Sequence, residues 1–537
     1  MKTAGGYAVT LRYNLLDEPL IRTRLVAAGQ PKSFSLPALL VALANDEVRD
    51  FPALRPHQRH PWHAFLVQLA AIALHRAGRE EVFDTESAWK EALLGLTPND
   101  PDGAAWCLIS PHDRPAFMQA PVPGGRVDGW TDDSPSPDSI DVLVTSKNHD
   151  LKQERIRSSK ADDWIYGLIS LQTQAPFPGA GNYGIARMNG GSSSRPGLGV
   201  VLCKGFGNRW KRDVAIAVQH RQELLQLGYR ERDGIGLLWL IPWDGEKAFS
   251  FSQLDPFFIE ICRRVRLIEI SDGIRALRTT TKGPRIAKDE AKARKGNTGD
   301  LWTPVHAVEG KSLGVSASGF NYKRLAELAY GSEFKKPPAQ IIGTTEVAGQ
   351  IELVAQSIAG GQSTTDGYHE RRIPISPTVR RLLLDRQTNR LASVAKERVY
   401  AVGQLAFLLR NSILVLLDGG KTRNNPRDIP DSLSKKAAYL AAAFEELEDA
   451  RFFSALNDEI ESDQPEAEHL NWLLSMASSA EAILKSAFAA GPQCGEQRYR
   501  AQAAALSRLH AGLRSTKTLP VLAEYYRQQS TNKELAL

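Results

Sequence analysis

Two prolines in Ile373-Pro-Ile-Ser-Pro-Thr378 punctuate this chain and divide it into stretches of different composition. Beyond them glycine and proline thin out, and apolar residues recur at three- and four-residue spacing over roughly 379–418, 432–460, 467–490 and 495–516. That period predicts amphipathic helices. The breaks Asp418-Gly-Gly420 and Ala490-Gly-Pro492 are short enough to join antiparallel neighbours. A C-terminal four-helix bundle over residues 376–537 is therefore expected.

Before the prolines the pattern is mixed. Tyr7-Ala-Val-Thr-Leu-Arg-Tyr13 reads as a strand, and Ser35-Leu-Pro-Ala-Leu-Leu-Val-Ala-Leu43 as a short helix with a serine near its start. Apolar positions 65, 66, 69, 70, 73 and 74 give residues 63–76 a helical period. The runs 235–241 and 350–355 read as β, set among loops rich in Gly, Pro and Asn. The alternation is too irregular for repeated βαβ units, so the fold class expected for residues 1–375 is α+β. A chain of 537 residues also exceeds what one core usually holds.

Composition excludes several classes. With 42% hydrophobic and 24% charged residues the chain is a folded protein and not a disordered one. Its 67 Lys and Arg against 61 Asp and Glu give a net charge of +6, mildly basic, which permits a nucleic-acid partner if the charges cluster. Cys107, Cys203, Cys262 and Cys494 show no C-x-x-C spacing, which points away from zinc and redox pairs and towards a reducing compartment. The first ten residues lack the apolar core of a signal peptide, and nowhere do 18 apolar residues run together. The expected location is cytoplasmic, with no membrane partner.

"PFPGAGNYGIARMNGGSSSRPG", residues 176–197, contains Gly179-Ala-Gly181-Asn-Tyr-Gly184 and so satisfies G-x-G-x-x-G. A dinucleotide site further requires a strand before the first glycine, a helix opening at the third and an acidic residue about 20 positions on. Prolines at 176 and 178 oppose the strand, Asn189-Gly-Gly ends any helix within about two turns, and Val200-Val-Leu-Cys-Lys204 holds no acid. What remains is a small-residue loop with bare backbone N–H groups and one cation expected to be exposed, Arg187, open to close approach by a polyanion. An ordinary surface turn is the plainer reading of the loop alone.

Catalytic and metal patterns are weak. His57, His60 and His63 in "RPHQRHPWH" are interrupted by Pro61 and have no carboxylate close in sequence, so solvated or capping histidines are expected. The pairs His149-Asp150 and His369-Glu370 fall in no recognisable nuclease or hydrolase pattern. No catalytic site, metal or cofactor is expected. Two basic stretches stand out instead: Lys147, Asn148, His149, Lys152, Arg155 and Arg157, continuing to Lys160, and Lys282 to Lys295, read as a flexible basic excursion. Each can neutralise phosphates; each is also what a solvated charged loop looks like.

The order of several short motifs resembles the CasA family, the large subunit of the type I-E CRISPR Cascade complex. "YNLLDEPLIRTR" at 13–24 is similar to that family's "NLxDxPWIPVR" opening, with Leu20 in place of tryptophan; "PAFMQ" at 115–119 is similar to "RPFMQ". The 176–197 stretch resembles the family's glycine loop, and "AGGQSTTDGYHERR" at 359–372 its wedge segment. The resemblance implies a large mixed N-terminal domain, a C-terminal four-helix bundle and no catalysis. It implies that Gly179, Ala180, Gly181 and Asn182 enter a DNA minor groove, that Lys292 or Lys295 is a basic finger, and that Gly361 and Gln362 wedge beneath the first base pair. It implies, for 145–160, docking against the crRNA 5′ handle and other Cascade subunits. The partners implied are double-stranded target DNA bearing a protospacer-adjacent motif, crRNA, other Cascade subunits and a recruited helicase-nuclease. Against this stand two alternatives, a metal-dependent enzyme acting on DNA through His149-Asp150 or His369-Glu370, and a helical scaffold contacting only proteins.

Overall fold

Every side chain from His60 to Leu74 is buried in the helix Arg59–Arg76, as befits a helix apolar enough on all sides to lie inside a core. It begins four residues earlier than its apolar period suggests. Pro61 falls in the first turn, where an absent N–H sacrifices no intrahelical bond, so the proline starts the helix instead of breaking it. The structure, a computed structural model, describes residues 11–27, 31–143, 156, 158–177, 179–190, 195–202, 205–271, 273–343, 349–360, 365–385, 387–422 and 429–535.

The helices Leu36–Ala44, Glu86–Gly95, Ala161–Gln174 and Phe206–Leu225 complete this core, the last three packed against Arg59–Arg76 and the first against Glu86–Gly95 and Phe206–Leu225. Ser35 caps the first of them, accepting from the Ala38 N–H at 3.3 Å. The centre is aromatic: Trp62 lies 5.1 Å from Tyr166 and 5.6 Å from Phe51 in edge-to-face pairs, and Trp106 meets Trp239. Small sheets surround it. Thr365–Ile375, Ile351–Gly360 and Gly197–Leu202 form an antiparallel sheet in that order, with Leu353 opposite both Ile373 and Val200. Arg264–Ile270, Gly273–Thr279 and Asp132–Ser134 form another. Of the run 235–241, only Ile235–Leu237 is a strand, paired parallel to Leu254–Ile259; Leu238–Leu240 turns into a 3-10 helix. The expected mixed α+β architecture is what forms.

Chain contacts define two units. The first comprises residues up to Phe320 and Ser332–Ile375; the second comprises Asn321–Gly331 and Ser376–Leu537. In the second, Thr388–Leu417, Asp431–Glu461, Pro465–Ser486 and Gly495–Leu513 form the four-helix core, with Thr388–Leu417 packed against the other three. The segment expected to be one helix over 379–418 is two, Pro377–Leu384 and Thr388–Leu417. The helix Tyr322–Tyr330, far away in sequence, belongs to this unit: its Tyr322 ring lies 5.0 Å from Phe452, and Lys323 pairs with Glu445 at 2.6 Å. Thr388–Leu417 is also long and apolar enough to cross a membrane, but half of its most apolar window is buried here, Leu405, Leu409 and Ile413 completely.

Candidate nucleic-acid interface

The glycine stretch lies between the helix Ala161–Gln174 and the strand Gly197–Leu202. A dinucleotide motif needs the reverse order, strand then helix, so the G-x-G-x-x-G match has another cause. Two of its glycines are required by packing. Gly181 has φ +84°, and a Cβ there would come within 2.9 Å of the Thr280 side chain. At Gly184 a Cβ would meet the Pro176 carbonyl carbon at 2.8 Å and Met188 Sδ at 2.7 Å. Gly179 to Asn182 form a tight turn, the Asn182 N–H donating to the Gly179 carbonyl at 3.1 Å. Its tip, Ala180, is exposed.

The base of the turn is fastened from three directions. The Thr281 N–H donates to the Gly181 carbonyl at 2.9 Å, the Tyr183 hydroxyl to the Lys282 carbonyl at 3.2 Å, and the Arg263 guanidinium to the carbonyls of Tyr183 and of Pro176, the latter at 2.9 Å. Arg187 is not the exposed cation expected from sequence. It is 4% exposed, bonded to Glu260 Oε1 at 2.7 Å and to the Phe258 carbonyl at 2.9 Å, with its guanidinium 4.0 Å from the Phe258 ring. Burial works against its charge, but Glu260 and Asp300 outweigh that and raise its pKa. It holds the loop to the core and is closed to a polyanion.

The exposed cations come from the second basic stretch. Lys282–Lys295 is no flexible excursion. Arg285 is buried, and Arg294 bonds the Leu227 carbonyl and lies 3.9 Å from the Phe251 ring. Between them runs the short helix Lys288–Arg294, with Lys295 following at φ +49°. Lys288, Lys292 and Lys295 are exposed and make no ion pair among the described residues. Lys288 and Lys292, four residues apart, share one face of the helix, and Lys295 follows at its left-handed end. Of the acids on this helix, Glu290 faces inward, accepting from Ser250 Oγ and the Phe251 N–H at 3.0 Å each.

Glycine stretch and lysine helix line one cavity of about 580 Å³, its walls including Tyr183, Ile185, Met188, Ile286, Lys288, Lys292 and Lys295. Two segments about 100 residues apart thus converge, with mainly apolar and aromatic side chains of the glycine stretch on one side and three ammonium groups on the other. From sequence Lys292 and Lys295 stand out as candidates, Lys288 only as part of the basic stretch and Tyr183 only as part of the glycine match. The signal for Lys288 was its four-residue spacing from Lys292; Tyr183 gave none. Gly361 and Gln362 join the strands Ile351–Gly360 and Thr365–Ile375 but lie outside the described residues, as do Lys147, Asn148, His149, Lys152, Arg155 and Arg157.

The histidines are neither solvated nor capping. His57 Nε2 lies 2.7 Å from Asp141 and His63 Nε2 2.8 Å from Asp213, while His60, 2% exposed, packs edge-on to Trp302. The carboxylates absent nearby in sequence arrive from 84 and 150 residues away. His369 and Glu370 are neighbours on a strand and so point to opposite faces. Glu370 is occupied by the Tyr368 hydroxyl at 2.6 Å and Arg372 at 2.8 Å. Among the described residues no three His, Cys, Asp or Glu side chains are grouped to hold a metal.

An α+β unit whose glycine stretch and lysine helix share one cavity, followed by a helical bundle, defines a class of two-unit protein. No family model and no curated protein matches the chain by sequence. Its structure is similar to Thermus thermophilus CasA (Cse1), at 14% identity and TM-score 0.63 over 94% of this chain and 99% of that one. It is also similar to the CRISPR-associated protein Cse1 from Acidimicrobium ferrooxidans, at 15% identity and TM-score 0.62 over 96% and 99%, and to Thermobifida fusca Cse1, at 15% and 0.58 over 95% and 98%. The fold of this chain is the CasA fold, as its motif order implies.

Proposed function

We propose that this chain is the non-catalytic large subunit of a crRNA-guided type I-E Cascade complex, acting in the cytoplasm in CRISPR defence. It recognises the protospacer-adjacent motif in double-stranded DNA, starts unwinding towards an R-loop and helps recruit a helicase-nuclease. The observation that carries this reading is the convergence, within a CasA fold, of the glycine stretch from Tyr183 to Gly190 and three lysines without an ion pair among the described residues on one cavity. On this reading Gly179, Ala180, Gly181 and Asn182 enter the minor groove, where small residues allow close backbone approach to base edges. Lys292 or Lys295 takes the adjacent phosphates. Gly361 and Gln362 form the wedge, and the stretch from Lys147 to Arg157 meets crRNA and neighbouring subunits. Guide pairing reads the rest of the target.

The test uses the assembled complex and a duplex bearing a functional motif. Replacing Lys292 and Lys295 together with alanine is expected to weaken binding by about 10-fold or more at moderate salt and to reduce the slope of log affinity against log salt by roughly 2. Ala180→Glu, at the exposed tip, is expected to weaken binding without changing stability. An unchanged salt slope together with unchanged affinity of Ala180→Glu removes this groove from the interface. Cleavage of DNA by the purified chain with added divalent metal would instead support an enzyme.

A further inference from the structure

The cavity between the glycine stretch and the lysine helix is larger than phosphate contact alone requires. At about 580 Å³ it falls within the ~300–1,000 Å³ span of small-molecule sites, which combine apolar walls with a few placed polar groups. Its apolar lining includes Ile185, Met188, Ile286 and Ala291, together with the rings of Phe177 and Tyr183, whose centroids are 5.7 Å apart and inclined by 31°. Arg285 also lines it, 1% exposed, and its Nε has no hydrogen-bond partner. Among the described lining residues Glu260 is the one carboxylate, and both its oxygens are occupied, by Arg187 and by the Ala186 N–H. The lining is thus apolar and aromatic with three lysine ammonium groups that make no ion pair among the described residues. That combination suits a flat ring attached to an anion and disfavours a purely aliphatic or a cationic occupant.

We propose that this cavity holds a single nucleotide, its base in the apolar recess against Phe177 and Tyr183 and its phosphate on the ammonium groups of Lys288, Lys292 and Lys295. Bases stack on aromatic side chains whatever their identity, and an unstacked base needs a pocket to hold it. Two sources share this chemistry: a nucleotide turned out of the bound DNA, which rests on the reading above, and a free nucleoside monophosphate, which does not.

Two measurements separate them. In the first, the complex is bound to target DNA carrying 5-iodouracil at successive positions beside the motif, irradiated, and the cross-linked peptides are mapped. A cross-link to Phe177 or Tyr183 is expected. In the second, thymidine monophosphate is titrated onto the isolated chain and followed by calorimetry. Ala291→Phe fills the recess from the lysine helix while leaving the turn and the lysines intact. It is expected to reduce the cross-link, or the nucleotide affinity, at least 10-fold while changing duplex affinity less than 3-fold. Lys288→Ala, at an exposed position, is expected to weaken thymidine monophosphate binding with no change in melting temperature. A cross-link lost in Ala291→Phe assigns the site to DNA; monophosphate binding without any DNA binding by the complex upholds the cavity and overturns the groove reading. Absence of both signals in the unmodified protein, or Ala291→Phe matching it in both, overturns the proposal.

Discussion

Burial holds the His63 imidazole neutral, with a pKa lowered to about 4, and the charge of Arg209 adds to that. Its partner Asp213 stays ionised. Burial pushes that carboxyl up, but the hydrogen bond from His63 and the charges of Arg209 and Arg212 bring it down to about 2. Burial, with Arg195, lowers His60 well below its ordinary value too. An unfolded chain takes up protons at both histidines below about pH 6.5, while the folded one does not until far lower. Stability is therefore complete above pH 6.5 and falls as pH drops towards 4, with His63 contributing on the order of 3 kcal/mol over that interval. Asp213 gives way only between 3.8 and about 2. Urea unfolding at pH 7 and pH 5 should show this loss in the unmodified protein and a smaller one in His63→Gln; equal losses would count against the assignment. None of this was legible in "RPHQRHPWH", because the groups that decide it, Arg195, Arg209 and Asp213, lie far along the chain. Arg187 was misjudged for the same reason: Glu260 lies 73 residues downstream.

Helices with a local period were legible as elements, and so was the proline divide, because both are written in adjacent residues. What sequence could not supply was where a long element is interrupted, as at 385–387, or that a basic run would fold into a helix fixed by Arg285 and Arg294. The antiparallel hairpin Ile351–Gly360 and Thr365–Ile375 was half legible: one strand carries an apolar run, the other is mostly polar and exposed or half-buried. Its register pairs Ala359 with Gly367 and Gly360 with Thr365, so the chain between them has four residues, Gly361 and Gln362 among them. If Gln362 acts as a wedge, it works after the motif is found, by stabilising the first unstacked step. Gln362→Ala is then expected to slow R-loop formation on an intact duplex by 10-fold or more, and a target pre-melted beside the motif is expected to recover most of that rate. Equal slowing on both substrates would place the wedge elsewhere.

At the scale of the molecule, hydrophobic periodicity together with motif order carried the fold class, and the structure bears out that class with one rearrangement. The helix Tyr322–Tyr330 interrupts the first unit's sequence near its end and packs in the second. Its partners Glu445, Asp449 and Phe452 lie more than 120 residues downstream, beyond the reach of any local pattern. Asn321 starts it, accepting from the Arg324 N–H at 3.0 Å, and Gly331 ends it.

The path of the chain therefore enters the bundle at 321, leaves at 331 and returns at 376. A backbone severed once, at an engineered protease site placed at 375/376, would not free the C-terminal fragment: residues 322–330 stay seated beside Phe452 as a plug that must be drawn out first. Nicked protein is expected to elute intact on native size exclusion and to separate only in denaturant. Tyr322→Ala, which removes the ring from that seat, should let the two fragments part under milder conditions. Cutting a connection and losing a unit become separate events in this molecule, because the knot of attachment is a buried helix and not the linker.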